Sequence, residues 1–241
     1  MSSEIQIAAP RVPILPILYE DRDLLVADKP AGLVVHPAYK HPDGTLFDAV
    51  SLYMQMRGEA KPCLLHRLDK DTSGAVLLAK TEAARRHLVR QFEQRAIRKT
   101  YLALVCGALY PACGEIDAPL RRDPADRRRM QIDSQGAPAR TGYQTLKTLG
   151  PGFALIELQP ITGRMHQLRI HLAAQGAPIV GDTLYAGSDP WRPLAPPRQC
   201  LHAHILTFQH PTTGSRLSVV SPLPQDIQTI LTTLTSPERC F

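Results

Sequence analysis

Short runs of apolar or alternating residues, bounded by turn-forming residues, recur along most of the chain. Runs of this kind are typical of β-strands, because successive strand residues face opposite sides of a sheet. The predicted strands cover residues 14–19, 24–28, 74–79, 100–106, 142–149, 153–158, 201–208 and 216–220.

Apolar residues at helical spacing predict four helices, over residues 45–56, from Thr81 through Phe92, from Thr162 to about residue 174, and over residues 224–234. Thr81 and Thr162 are expected to cap the second and third helices. Strands that outnumber helices, without a regular strand–helix alternation, predict an α+β fold on a mixed or largely antiparallel sheet.

No repeat or low-complexity linker divides the chain. We therefore expect one catalytic domain over residues 14–235, preceded by a flexible lead-in at residues 1–13. That lead-in lacks the basic start and apolar core of a secretory signal, and no apolar run reaches the roughly 18 residues that a membrane span needs. A cytoplasmic protein without membrane contact is expected. The five cysteines are scattered and lack C-x-x-C spacing, so we expect reduced thiols rather than disulfides or a zinc site.

The net charge of +6 favours encounter with polyanions, although many basic proteins bind no nucleic acid. Aromatic residues make up only 5% of the chain, which argues against a single-strand binder built on stacked bases. Residues 121–140 carry six arginines and three aspartates. They form either a solvated loop with internal ion pairs or a basic arm whose Arg127, Arg128 and Arg129 contact phosphates.

Candidate chemistry is most concentrated in residues 66–74, His-Arg-Leu-Asp-Lys-Asp-Thr-Ser-Gly, directly before an apolar strand. Asp69 lies there between the cationic Arg67 and Lys70. A nearby cation holds a carboxylate ionised, which suits a nucleophile or a base. Spacing alone equally allows a surface loop of ion pairs.

A second cluster, residues 162–171, places Arg164 in the first turn of the predicted third helix. The partial positive charge of that helix end adds to the arginine, so the position can bind an anion or clamp a carboxylate. His166 and His171 have no acidic or cysteine partner at a recognised ligand spacing, and we expect no metal site.

Four segments together resemble the RluA-type RNA pseudouridine synthases. They are residues 66–74, 162–171, 29–37 and 99–101, and the resemblance spans residues 19–222. The first segment is highly specific, and the later ones follow in the family's order. The resemblance implies a central, mostly antiparallel sheet flanked by helices and loops, with a cleft across it. It also implies isomerisation of uridine in structured RNA, 23S rRNA or tRNA stem-loops, to pseudouridine.

The resemblance also implies a role for particular residues. Asp69 matches the catalytic aspartate, and Arg164 matches the basic residue paired with it. Tyr101 matches the tyrosine that packs against the target base and is a candidate for the base that removes the C5 proton. Further substrate-binding residues are expected to be Arg67, which fills the stack left by the flipped base in some relatives, His66 and Leu168.

The implied reaction breaks the N1–C1′ bond, turns the retained uracil and joins C5 to C1′, after the base has left its stack. Asp69 could attack C1′, attack C6 or remove the C2′ proton, and we favour the C2′ route through a glycal. Nothing is oxidised or hydrolysed, so neither a metal nor a cofactor is expected.

The catalytic pattern begins by about Ile17, which leaves no room for the N-terminal S4-type module of many relatives. We therefore expect the short branch of the family, acting as a monomer on RNA and not on DNA. Two other functions stay open. One is an RNA-binding or RNA-folding factor on the same scaffold. The other is a metal-dependent nuclease or hydrolase using Asp69 and Asp71, which has the least support.

Overall fold

The structure, a computed structural model, describes residues 15–37, 41–150, 152–187, 194 and 196–236. The expected lead-in at residues 1–13 and the first residue of the first predicted strand, Ile14, lie outside them. The strands are β1 Ile17–Glu20, β2 Leu24–Lys29, β3 Cys63–Leu64, β4 Ser73–Ala79, β5 Arg98–Cys106, β6 Cys113–Asp117, β7 Leu120–Arg122, β8 Met130–Ile132, β9 Arg140–Thr148, β10 Phe153–Pro160, β11 Leu201–Gln209 and β12 Arg216–Val220. The helices are α1 Leu46–Met56, α2 Glu82–Glu93, α3 Gln167–Ala174 and α4 Gln225–Thr235.

Ten of these strands form one sheet in the order β1-β2-β4-β11-β5-β10-β9-β6, with β12 beside β11 and β3 beside β4. Neighbouring strands are antiparallel except for β4 and β11, which run parallel where His202 meets Ser73 and Ala203 meets Gly74. The prediction of an α+β fold on a mostly antiparallel mixed sheet is confirmed.

Gly74 makes the parallel junction sterically feasible. Its φ is +118°, and a Cβ added to it would lie 2.2 Å from the carbonyl oxygen of Ala203. Only glycine tolerates both the backbone conformation and the close approach. The junction therefore fixes the C-terminal end of the Asp69 loop against β11.

Apolar residues pack on both faces of the sheet. Along β2, Leu24 and Val26 contribute to one buried cluster, while the alternate residues Leu25 and Ala27 contribute to the other. This alternation follows from the two-residue period of a strand. Helix α1, capped by Thr45, packs into the cluster that holds Leu25, and α2 packs into the cluster that holds Leu24.

The third helix begins five residues later than predicted. Instead of capping a helix, the Thr162 hydroxyl donates to Gln167 Oε1 at 2.7 Å and accepts the backbone N–H of Arg140 at 2.9 Å. His166 has a left-handed backbone, with φ of +54°, and α3 starts directly after it. Residues 162–166 therefore form a turn, which we call the 162–166 turn, in front of the helix.

Residues 121–140 are more ordered than either sequence interpretation expected. They hold most of a small hairpin in which β7 pairs with β8, Arg121 opposite Gln131 and Arg122 opposite Met130. Polar residues dominate this hairpin and the edge strand β6, so the apolar pattern that marks the inner strands is missing from them. Among the described residues, no helix has the length and apolar character needed to span a bilayer.

Candidate active site

Asp69 lies in the loop between β3 and β4 and lines a cleft of about 780 Å³. Three buried side chains hold this loop. Lys29 Nζ donates to the Lys70 carbonyl at 2.8 Å, Arg198 Nη1 donates to the Asp71 carbonyl at 3.0 Å, and Gln199 Nε2 donates to Thr72 Oγ1 at 3.1 Å. The Asp69 carboxylate therefore lies on a loop whose backbone and side chains are hydrogen-bonded to the end of β2 and to the segment before β11.

Lys29, the last residue of β2, is fully buried. Besides Lys70, it donates to the carbonyls of Pro30 at 2.9 Å and Leu33 at 2.7 Å. Burial lowers the pKa of Lys29 to about 7, whereas three carbonyl acceptors match the three N–H groups of the ammonium form. This lysine ties the Lys29–Pro30 turn to the Asp69 loop.

The cation beside Asp69 is Arg169, in the first turn of α3. Arg169 Nη1 lies 3.4 Å from Asp69 Oδ2. The same guanidinium makes shorter bonds to Asp182, from Nε at 2.6 Å and from Nη2 at 2.8 Å. The side chains of Arg169 and Asp182 are 9% and 1% exposed, so this bidentate pair is removed from solvent. Asp182 fixes the arginine fork, and the remaining nitrogen of that fork reaches Asp69.

The predicted pairing of Arg164 with Asp69 is therefore wrong. Arg164 is exposed, and its Nε donates to the Pro138 carbonyl at 3.2 Å. The reason is the late start of α3. With the helix beginning at Gln167, Arg164 belongs to the 162–166 turn and Arg169 takes the position in the first helical turn. Arg164 still lines the wider cleft.

A neutral histidine, His166, also lies near Asp69. The Tyr185 hydroxyl accepts the Met130 N–H at 2.7 Å and lies 2.8 Å from His166 Nδ1. If the hydroxyl donates its proton to Nδ1, the imidazole proton sits on Nε2. His166 Nε2 lies 3.9 Å from Asp69 Oδ2. Burial lowers the pKa of His166, with Asp69 opposing the shift, so the ring is an N–H donor near neutral pH.

Tyr101 and Leu168 contribute to the apolar part of the cleft, and both are buried. Burial, together with the negative charge of Asp69, raises the pKa of the Tyr101 phenol. The ring is therefore protonated at neutral pH and offers a packing surface. A phenolate that would accept the C5 proton is disfavoured by this environment.

Arg67 and His66 line the same cleft, but they differ in freedom. Arg67 is exposed. His66 Nε2 accepts the backbone N–H of Leu77 at 2.9 Å, and its ring lies 5.5 Å from that of Phe92. Burial lowers the pKa of His66 to about 3, so it is neutral and tied to β4. Only its other nitrogen is left for the predicted contact with substrate.

Comparison with known proteins decides the family of this cleft. A family model described as RNA pseudouridylate synthase matches residues 23–174. The chain belongs to that family. An uncharacterized RNA pseudouridine synthase of Chloroflexus aurantiacus is 47% identical over 85% of this chain, which spans 64% of that protein. A ribosomal large subunit pseudouridine synthase D of Xanthomonas campestris is 42% identical over 94% of this chain, which spans 71% of it.

The fold agrees with the family. The solved structure of human RNA pseudouridylate synthase domain containing 4 superposes with a TM-score of 0.72 at 30% identity, over 91% of this chain and 92% of that one. The sequence resemblance to pseudouridine synthases is thereby confirmed.

Within this member of the family, the three arginines that were expected to meet RNA have different surroundings. Arg128 is paired with Asp126 at 2.7 Å, and the Arg129 guanidinium lies over the Tyr185 ring, 5.4 Å from its centroid. Arg127 is exposed. Arg128 thus has the internal ion pair that one interpretation predicts, and contact of Arg127 with phosphates stays a prediction.

Sequence reasoning missed Asp182 and Tyr185 and gave Arg169 no role. Asp182 follows Gly181 after an apolar stretch, which is a weak signal for a buried carboxylate. Arg169 belongs to a segment that the sequence did single out. Choosing it over Arg164 required the left-handed backbone at His166. Histidine is enriched in that region, but the enrichment is too weak to place a turn from sequence.

Proposed function

We propose that this chain is an RNA pseudouridine synthase that isomerises uridine in structured RNA, with Asp69 as the essential carboxylate. The observation that carries the proposal is the position of Asp69 in the cleft, beside Tyr101 and within reach of the Arg169 fork that Asp182 fixes. A carboxylate held in this way is oriented before substrate arrives.

In the proposed reaction the target uracil leaves its stack and packs on Tyr101, while the exposed Arg67 takes the vacated space. Asp69 removes the C2′ proton, the C2′–H electrons form the C1′–C2′ double bond, and N1 leaves with the N1–C1′ electron pair. After the uracil has turned, C5 bonds to C1′ and Asp69 returns its proton to C2′.

The last step removes the C5 proton and delivers a proton to N1. The raised pKa of Tyr101 leaves the regenerated Asp69 carboxylate as the acceptor that best suits the C5 proton. The same carboxylate thus acts at both stages, while Arg169 donates to its Oδ2 atom at 3.4 Å.

The substrate class is proposed from the relatives. The Xanthomonas campestris relative is named for the ribosomal large subunit, which makes large-subunit rRNA the first RNA to test and tRNA stem-loops the second. We propose that residues 14–235 act as one catalytic unit, as a monomer and in the cytoplasm.

The test is to incubate purified protein, with a chelator, with total RNA from a strain lacking the protein and to map pseudouridine at single-nucleotide resolution. New sites should form with the wild type and disappear with Asp69→Asn. Asp71→Asn, the same change two residues along the same loop, should keep them. RNA binding without new sites would favour the RNA-binding factor, and strand cleavage restored by metal would favour a nuclease.

A further inference from the structure

Lys99 is a cation in the cleft that the proposed reaction does not use. It lies on β5 two residues before Tyr101, so both side chains are on the same face of the strand, and both line the cleft with Asp69. In the described part of the chain, Lys99 Nζ has no hydrogen-bond acceptor and no carboxylate in ion-pair range.

An unpaired ammonium in this position is costly. Lys99 is partly buried, and its desolvation lowers its pKa because water no longer stabilises the charge. Buried charges are normally paired, and an unpaired one raises the free energy of the folded protein. Groups of this kind concentrate at functional sites, where a ligand supplies the missing partner.

The neighbouring 162–166 turn supplies further donors. Lys99 Nζ lies 3.7 Å from the point that a Cβ on Gly163 would occupy. The backbone N–H groups of Gly163, Met165 and His166 have no acceptor among the residues that the structure describes. A glycine here keeps open the space in front of the ammonium, and a larger side chain would enter it.

The charges that face this space favour an anion. Arg95, with a left-handed φ of +56°, and Arg164 line the same cleft. The two carboxylates of the lining are Asp69, which Arg169 already contacts, and the exposed Glu93. Cationic side chains therefore outnumber free carboxylates in the lining of the cleft.

We propose that Lys99 and the 162–166 turn bind a backbone phosphate of the RNA strand that carries the target uridine. The anion is a phosphodiester and not a free metabolite, because the site opens into the cleft that receives the base. Lys99 and Tyr101 are about 7 Å apart along β5, so the bound phosphate adjoins the flipped nucleotide. This inference rests on the proposed function.

The test replaces single phosphates of a substrate oligonucleotide with neutral methylphosphonates around the target uridine and measures binding. All variants carry Asp69→Asn so that no turnover occurs. The background protein should lose about 10- to 100-fold in affinity at one phosphate. Adding Lys99→Gln should lower the affinity for unmodified RNA by a similar factor. With that substitution in place, the methylphosphonate at that phosphate should cause no further loss. Lys99→Gln should also reduce the slope of log K against log salt by about 0.7–0.9.

Lys147→Gln is the matched control, since Lys147 is exposed on β9 outside the cleft lining, and it should leave the phosphate profile unchanged. If Lys99→Gln folds poorly, Gly163→Val takes its place. It keeps the lysine but fills the space in front of the ammonium, so it should abolish the loss of affinity that the methylphosphonate causes at that phosphate. The site would be overturned if the methylphosphonate still lowered the affinity of the Lys99→Gln protein as it lowers that of the background protein. It would also be overturned if no phosphate proved sensitive in the background protein. Failure of the proposed function would show separately, as wild-type protein that binds these RNAs and forms no pseudouridine.

Discussion

Replacing Arg169 with lysine tests the central correction to the site, which is that Arg169 and not Arg164 pairs with the Asp69 carboxylate. The substitution keeps the charge but loses the planar fork that bonds Asp182 at 2.6 and 2.8 Å and reaches Asp69 at 3.4 Å. Asp182 is 1% exposed, so loosening its partner leaves a buried carboxylate poorly compensated. Breaking a buried pair costs about 3–5 kcal/mol, which we take as the upper bound because lysine retains the charge.

The activity should fall as well as the stability. A carboxylate displaced by about 1 Å can cost about 100-fold in rate, so Arg169→Lys should lower kcat by about that factor. Arg164→Lys is the matched control. Arg164 is exposed, and its side chain donates to the Pro138 carbonyl, so the free energy of unfolding of Arg164→Lys should differ from the wild type by less than about 1 kcal/mol.

The assay combines urea unfolding with single-turnover conversion of a substrate RNA, at a temperature where each variant is folded. RNA binding is followed alongside, because Arg164 lines the cleft and its variant can weaken affinity. The reasoning is refuted if Arg164→Lys lowers the single-turnover rate at saturating protein as much as Arg169→Lys does, or if Arg169→Lys converts RNA at the wild-type rate.

Three further predictions follow from the same contacts. Gly74→Ala should lower the free energy of unfolding by more than about 4 kcal/mol, because its Cβ would lie 2.2 Å from a carbonyl oxygen. Gly176→Ala, also at positive φ but with nothing within 4 Å, should lower it by about 1–3 kcal/mol, and thermal or urea unfolding measures both. The pKa of His66 is about 3 in the folded protein and 6.5 in the unfolded chain, so between these values the unfolded chain binds one more proton and stability falls as the pH drops from about 6.5 toward 3. His66→Gln should flatten that fall by up to about 1.4 kcal/mol per pH unit, and an unchanged slope contradicts the assignment. Arg127→Ala should weaken RNA binding and flatten its salt dependence more than Arg128→Ala, whose charge Asp126 already offsets, and equal salt slopes would count against this.

The sequence predicted the inner part of the fold because that part is apolar. Strand β4 and helix α2 have strong periodic patterns, and the structure places them close to the predicted bounds. Strands β6, β7 and β8 are only three to five residues long and largely exposed, so hydrogen bonding to neighbours defines them and no sustained hydrophobic period marks them.

The site shows a similar division. The loop around Asp69 and the strand around Tyr101 could be found because their chemistry is contiguous in the chain. The bond between Arg169 and Asp182 joins residues on separate segments, and its geometry depends on the left-handed backbone of His166. Tertiary contacts decide such a pairing, and neither propensity nor spacing encodes them locally.

The most direct test of the account is release of tritium from RNA labelled at C5 of uridine, because joining C5 to C1′ must expel the C5 hydrogen. The wild-type protein should release tritium in step with the pseudouridine formed, and folded Asp69→Asn should release none. Tritium release by Asp69→Asn at the wild-type rate, or pseudouridine-free RNA after full incubation with wild-type protein, would contradict the central claim that Asp69 drives uridine isomerisation.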